Sequence, residues 1–183
     1  MPRLVAPTTS VHRSFLAAMA ELQAEGRGAP DDSTMIGWEL RTFGATWHEP
    51  AGFARYVAAL HAQADAAAAR PLHWVPCTTL WYIDGNTYLG RLAIRHRLNE
   101  ELLQRGGHIG YDVRPSARRR GHATTMLGAS LPIARRLGIE RALVTCDVVN
   151  VASRKVIEAN GGVLEDERHG KLRFWIDCSL PDR

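Results

Sequence analysis

The spacing of hydrophobic and polar positions changes character near residue 75. Before it, apolar residues recur at helical intervals. Phe15, Met19 and Leu22 share one face of a segment that Thr8, Thr9 or Ser10 can cap and that Gly26 and Gly28 end. A helix to about Glu25 is expected, preceded by a short strand at Arg3 to Ala6. Pro50 reads as a second helix start, with Phe53, Tyr56, Val57, Leu60 and Ala64 on one face and an alanine-rich tail ending near Arg70, because Pro71 follows. Between them, residues 35–49 hold Trp38, Phe43 and Trp47 with no clean period.

After residue 75 the pattern turns to strands. Thr78 to Ile83 and Thr87 to Ile94 are rich in β-branched and aromatic residues and flank Asp84-Gly85-Asn86, so they predict a hairpin. His108 to Val113 is a further strand. A helix from about Arg119 to Leu137 follows, with Ala123, Met126, Leu127, Ser130 and Ala134 on one face and Pro132 inside it. Then come a strand (Ala142 to Asp147), a helix (Ala152 to Asn160), a strand near Val163 and a last strand from Leu172 to Cys178. The order β-β-β-α-β-α-β-β after a helical start implies an α/β fold with helices on a mixed sheet. The whole of 1–183 reads as a single domain, helical over 1–74 and sheet-forming over 75–183.

Composition narrows the function classes. Of 183 residues, 45% are hydrophobic and 23% charged, the balance of an ordinary globular domain. The apolar stretch Phe15 to Ala20 is too short to span a bilayer or to serve as a signal core, so a cytoplasmic protein without membrane partners is expected. Cys77, Cys146 and Cys178 form no CxxC pair and read as buried thiols. The eight histidines show no HExxH pattern, so no metal is expected. The net charge of +4 suits any anionic ligand. Its densest cluster, Arg118-Arg119-Arg120, sits at a loop-helix junction rather than along an aromatic-rich face, which favours a phosphate ligand over nucleic acid.

The chemistry-bearing segment is Val113-Arg114-Pro115-Ser116-Ala117-Arg118-Arg119-Arg120-Gly121-His122-Ala123, between a strand and an amphipathic helix. A helix N-terminus presents unpaired N–H groups and a partial positive charge. Gly121 and Ala123 keep bulk away from those groups, and arginines add charge-assisted bonds to phosphate. The run is neither a Walker loop nor GxGxxG. Taken alone it is equally compatible with a solvated basic helix start.

Arg118-x-x-Gly121-x-Ala123 matches the [QR]-x-x-G-x-[GA] signature, and the segment resembles the GCN5-related N-acetyltransferase (GNAT) superfamily. Asn150-x-x-Ser153 and Val156-Ile157-Glu158-x-Asn160-Gly161-Gly162 resemble that family's next strand-to-helix segment. The stretch Gly107-His108-Ile109-Gly110-Tyr111 with Val113 to Ser116 is similar to a bacterial group of such acetyltransferases. The resemblance implies a GNAT-like, mostly antiparallel sheet with splayed central strands, flanked by helices. It implies acetyl-CoA as co-substrate, with 1–74 on the acceptor side and 75–183 binding acetyl-CoA. Backbone groups of Tyr111, Asp112 and Val113 would meet the pantetheine arm. Arg118, Arg119, Arg120, Gly121, His122, Ala123 and Thr124 would meet the phosphates. Asn150 and Ser153 would close the site from the other side.

The implied reaction is attack of a primary amine, expected on a small molecule, upon the thioester. An alternative acceptor is a protein N-terminus or lysine. A phosphate- or nucleic-acid-binding module without catalysis is the alternative of another class. Many family members carry a tyrosine acid seven residues after the asparagine; Ile157 stands there and excludes it. Ser153 becomes the proposed proton donor to the thiolate, and His108 the first choice of base, with an ordinary imidazole suited to the task. Glu100, His96 and Asp147 are the other candidates for the base. Trp38, His96, Asn99 and Glu100 are expected to contact the acceptor. A homodimer is compatible with the sequence. A closed pocket of Trp38, Trp47, Trp74 and Trp81 would favour a small acceptor, and an open groove a peptide.

Overall fold

The computed structural model describes residues 1–179. Seven strands form one sheet: β1 (Arg3–Val5), β2 (Cys77–Asp84), β3 (Thr87–Arg95), β4 (Ile109–Val113), β5 (Arg141–Asp147), β6 (Val163–Arg168) and β7 (Lys171–Asp177). Their order is β1-β2-β3-β4-β5-β7-β6, and every pairing is antiparallel except β4 with β5. That exception is the splay: β4 and β5 share one ladder partner pair, Ile109 with Val144.

Helices cover both faces. On one face α1 (His12–Ala24), α2 (Met35–Phe43) and α3 (Pro50–Ala62) enclose a core rich in aromatic rings, in which Phe15, Tyr56, Trp47 and Trp81 are fully buried. Phe15 sits at its centre, with ring centroids at 5.0 Å to Trp47 and 5.3 Å to Trp81 and Tyr88. Such rings bury about 150–250 Å² each and dominate packing energy. On the other face α4 (His122–Arg136) and α5 (Val151–Ala159) cover Leu92, Ile94, Ile109, Val144 and Phe174. Ile157 is fully buried there, so the position that excludes a tyrosine acid is a packing position.

Three helices depart from expectation. α2 escapes the periodicity because Glu39, buried at the helix's inner face among Ile36 and Leu40, breaks the apolar stripe. Its charge is matched by buried Arg91, and Tyr56 Oη donates to Glu39 Oε2 at 2.7 Å. α3 ends at Ala62 rather than near Arg70. The Gln63 carbonyl, which would bind the N–H of residue 67 in a longer helix, accepts from Cys77 N–H at 2.8 Å. Ala67 N–H turns instead to Asp65 Oδ1. α4 starts at His122 because Gly121 is left-handed, and it continues through Pro132.

Candidate active site

The divergence of β4 from β5 opens a cleft of about 510 Å³ on the side of α4 and α5. Tyr111, Asp112, Val113, Arg118, Arg119, Gly121, His122, Ala123, Thr124, Asn150 and Ser153 all line it. Of the residues expected at the cofactor, Arg120 alone does not. The Arg95 N–H donates to the His108 carbonyl and the Arg114 N–H to the Leu89 carbonyl, so even-numbered residues of β4 bond β3. Alternation then turns the backbone groups of Tyr111 and Val113 toward the gap. No side chain caps the N-terminus of α4. A Cβ at Gly121 would meet no heavy atom within 4 Å, and φ there is +77°. These features fit a phosphate-bearing ligand: open N–H groups, a positive dipole end and a glycine that leaves the approach clear.

The arginine run is divided in its duties. Arg118 donates to both carboxylate oxygens of Glu25, at 2.8 and 2.7 Å, and to the Val113 carbonyl at 3.2 Å. It therefore ties the loop to the end of α1 while still lining the cleft. Arg114 pairs with Glu21, which also accepts from the Ser116 N–H and hydroxyl. Arg27, which the sequence reading missed, lines the cleft and donates to Asp112 at 3.0 Å, to Asp32 at 3.2 Å and to Thr34 Oγ1 at 2.8 Å. Burial alone would push the Asp32 carboxyl up, but bonds from Thr34 and Gly28 and the Arg27 charge bring it down to about 2. Thr34 caps α2, so Arg27 links the cofactor cleft to that helix.

On the face of α2 and α3 lies a second cavity of about 600 Å³. Trp38 and Trp74 form part of its wall, with ring centroids 4.6 Å apart. Trp47 and Trp81 do not; both belong to the core, so the expected four-tryptophan pocket reduces to two. Asn99 lines the cavity while binding the His73 carbonyl and the Leu102 N–H. Among the described residues Glu101 is the one carboxylate on its wall. Glu100 faces a neighbouring cleft with Gln104 and His169. His96 is hydrogen-bonded to Thr78 Oγ1 at 2.8 Å and does not line the cavity; burial and the Arg70 charge lower its pKa. Arg95 reaches the cavity from the end of β3, and its guanidinium nitrogens lie 3.6 and 3.8 Å from where a Cβ on Gly110 would stand. Arg95 thus stands between the cavity and the middle of the splayed strand, no residue of which lines the cavity.

The segment carrying Glu101 is firmly held. Arg95 Nη1 donates to the Gly106 and Gly107 carbonyls, Thr145 Oγ1 to the Arg105 carbonyl at 2.7 Å, and buried Arg173 to the Leu103 carbonyl at 3.0 Å. Gly107 has φ +66°, and a Cβ there would lie 2.5 Å from the Leu143 carbonyl oxygen, so only glycine fits.

His108 lies beside this segment but in a setting unsuited to a base. It is buried, and its Nδ1 accepts the Leu143 N–H at 2.9 Å. That bond occupies the one lone pair of a neutral imidazole and places the proton on Nε2. Burial, with the Arg95 charge behind it, lowers its pKa to about 4. Across the gap, Tyr111 Oη donates to Ser153 Oγ at 3.3 Å, and the Ser153 N–H donates to Asn150 Oδ1 at 3.0 Å. Burial pushes the Tyr111 phenol up to about 12. The pair therefore remains protonated at neutral pH. Asp147 is engaged by Lys171 at 2.5 Å.

Fold and cleft together show a strand splay with a helix N-terminus open to it, beside a second, aromatic cavity. Residues 29–163 match the family model described as the acetyltransferase (GNAT) domain. The chain belongs to the GNAT acetyltransferase family and is an acetyl-CoA-dependent acetyltransferase. No curated protein matches its sequence. Among solved structures, it is similar to Mycobacterium smegmatis RimJ in complex with CoA-disulfide, at 17% identity and TM-score 0.66 over 96% of this chain and 81% of that one. It is similar to the ribosomal-protein-S5-alanine acetyltransferase of Vibrio fischeri, at 12% identity and TM-score 0.63 over 98% and 96%. It is also similar to the microcin C7 self-immunity acetyltransferase MccE in complex with acetyl-CoA and AMP, at 12% identity and TM-score 0.61 over 96% and 92%. Among the described residues no helix is long and apolar enough to cross a membrane, and no three His, Cys, Asp or Glu side chains gather as a metal site.

Proposed function

We propose that this enzyme acetylates a primary amine presented from the cavity of Trp38 and Trp74. The carrying observation is that the two spaces flank β4: the cavity ends at Arg95, whose guanidinium stands over Gly110, and Tyr111 to Val113 line the cleft. Bound acetyl-CoA supplies the activated acetyl group. Its phosphates would rest on the N–H groups of His122 to Thr124, and its pantetheine on the Tyr111 and Val113 backbone. The Tyr111 N–H is suited to polarise the thioester carbonyl. Ser153, backed by Tyr111, serves as proton donor to the leaving thiolate. Deprotonation of the amine is assigned to Glu101, directly or through a water, because among the described residues it is the one wall carboxylate and His108 has no free lone pair.

A cavity of about 600 Å³ with aromatic walls suits a small molecule. Its fold likeness to RimJ and the S5-alanine acetyltransferase keeps a peptide N-terminus as the second reading. A screen of small amines and short peptides, read by thiol release and by the mass of the product, tests the proposal. Amine-stimulated release that falls at least about tenfold in kcat on Glu101→Gln is expected, within the usual range for loss of a general base. No stimulation by any amine would refute the reading. Acetylation confined to peptides would transfer it to the second.

A further inference from the structure

Three guanidinium groups reach the wall of the cavity, those of Arg41, Arg70 and Arg95. Among the described residues none of them has a carboxylate within ion-pair distance. All their hydrogen-bond partners are backbone carbonyls. Arg41 donates to Ala29 at 2.8 Å, Arg70 to Asp65 and Ala68, and Arg95 to Gly106 and Gly107 at 3.2 and 3.3 Å. One nitrogen of Arg70, Nη1, is buried with no partner at all.

This contrasts with the rest of the inner chain. Buried or half-buried Arg27, Arg91, Arg114 and Arg173 each pair with an acid. Arg41 is exposed, but Arg70 and Arg95 are half-buried; carbonyl dipoles do not neutralise a guanidinium, and a charge partly withdrawn from water without a counter-charge is costly. Set against Glu101, the three arginines leave the wall with two positive charges. Such a wall repels a plain ammonium ion and favours its neutral form, which is the form that attacks a thioester. It attracts a ligand that brings its own anion, and an arginine fork matches carboxylate or phosphate oxygens.

Resting on the amine-acetyltransferase reading above, we propose that the acceptor carries an anionic group, a carboxylate or a phosphate, on the same molecule as its amine and its apolar body. The anion pairs with Arg95 and its neighbours while the body packs on Trp38 and Trp74. Close approach of Arg95 to Gly110 places that anion within a few bonds of the attacking amine, in the manner of an amino acid.

Binding is tested apart from turnover. Calorimetric titration of the enzyme saturated with coenzyme A uses indole-3-propionate, indole-3-propionamide and phenyl phosphate, none of which has an amine. The carboxylate or the phosphate should bind at least about tenfold more tightly than the amide, the range of a charge-assisted pair. Whichever anion binds better identifies the group. Arg95→Gln and Arg41→Gln should each erase most of the preference; if the first variant does not fold, the second decides, because Arg41 lies at the surface. An amide that binds as well as the acids, or three ligands that all fail to bind, overturns the proposal. A parallel assay compares acetyl transfer to tryptophan, tryptophanamide and tryptamine. Equal transfer to all three leaves the acetyltransferase reading standing and removes the anion. An anion preference in binding without transfer to any amine keeps the site and removes the reading.

Discussion

Gly121→Glu separates the cofactor site from the fold. Its Cβ would meet no protein atom within 4 Å, so the folded chain meets no clash. The cost is the left-handed backbone, φ +77°, which a side chain tolerates at roughly 1–2 kcal/mol. For a chain of this size that lowers Tm by about 2–8 °C. The binding penalty is larger. The new carboxylate stands at the open N-terminus of α4, where the phosphates are assigned. At about 4 Å and an effective dielectric near 20, like charges repel by about 4 kcal/mol, close to a thousandfold in Kd, with salt reducing it. Gly121→Ala carries the same backbone strain without the charge and should lose far less affinity. Calorimetric titration with coenzyme A, beside thermal unfolding of both variants, gives the two numbers. Affinity of Gly121→Glu within about threefold of wild type, with the fold intact, would refute the assignment of the phosphates to this helix end.

Other outcomes follow from single contacts. Ser153→Ala and Tyr111→Phe should each lower kcat while leaving coenzyme A affinity nearly unchanged, since proton donation matters chiefly in the transition state; full-rate variants would show that the thiolate leaves unaided. Glu39→Ala leaves Arg91 buried without its partner and should cost about 3–5 kcal/mol, read as denaturant midpoint at constant slope. His108 is held neutral: its folded pKa of about 4 lies below the unfolded value near 6.5. Between those values the unfolded chain binds more protons, so stability falls with falling pH, by at most about 1.4 kcal/mol per unit. His108→Gln should flatten that acid limb in unfolding titrations while leaving any rise of kcat/KM with pH at its wild-type midpoint. Arg27→Ala should raise the KM for acceptor as well as that for acetyl-CoA, because the side chain joins Asp112 of the cleft to the cap of α2; a change in one constant alone would break that link.

Local chemistry is the part of this protein that its residues alone encode. A strand followed by arginines, a glycine and an amphipathic helix marks a candidate phosphate site, because the helix end provides N–H groups from local sequence alone. The Asp84-Gly85-Asn86 hairpin was legible for the same reason; the capping of α5 by Asn150 and the packing of Ile157 came from the structure. The tertiary structure decided matters that depend on which distant residues meet. α2 was illegible because buried Glu39 belongs to its inner face only when Arg91, 52 residues away, supplies the opposite charge. Arg118 meets Glu25 only because α1 brings that residue to it, and His108 Nδ1 accepts the Leu143 N–H only because β5 lies alongside. Arg91 inside an apolar strand was the signal that a buried partner must exist. Arg27 and Arg95 gave no such signal, since a lone arginine at a loop or strand end is ordinary. Their roles arise because the sheet places β3, β4 and the segment before α2 side by side, and charges acquire meaning from neighbours that only the folded chain selects.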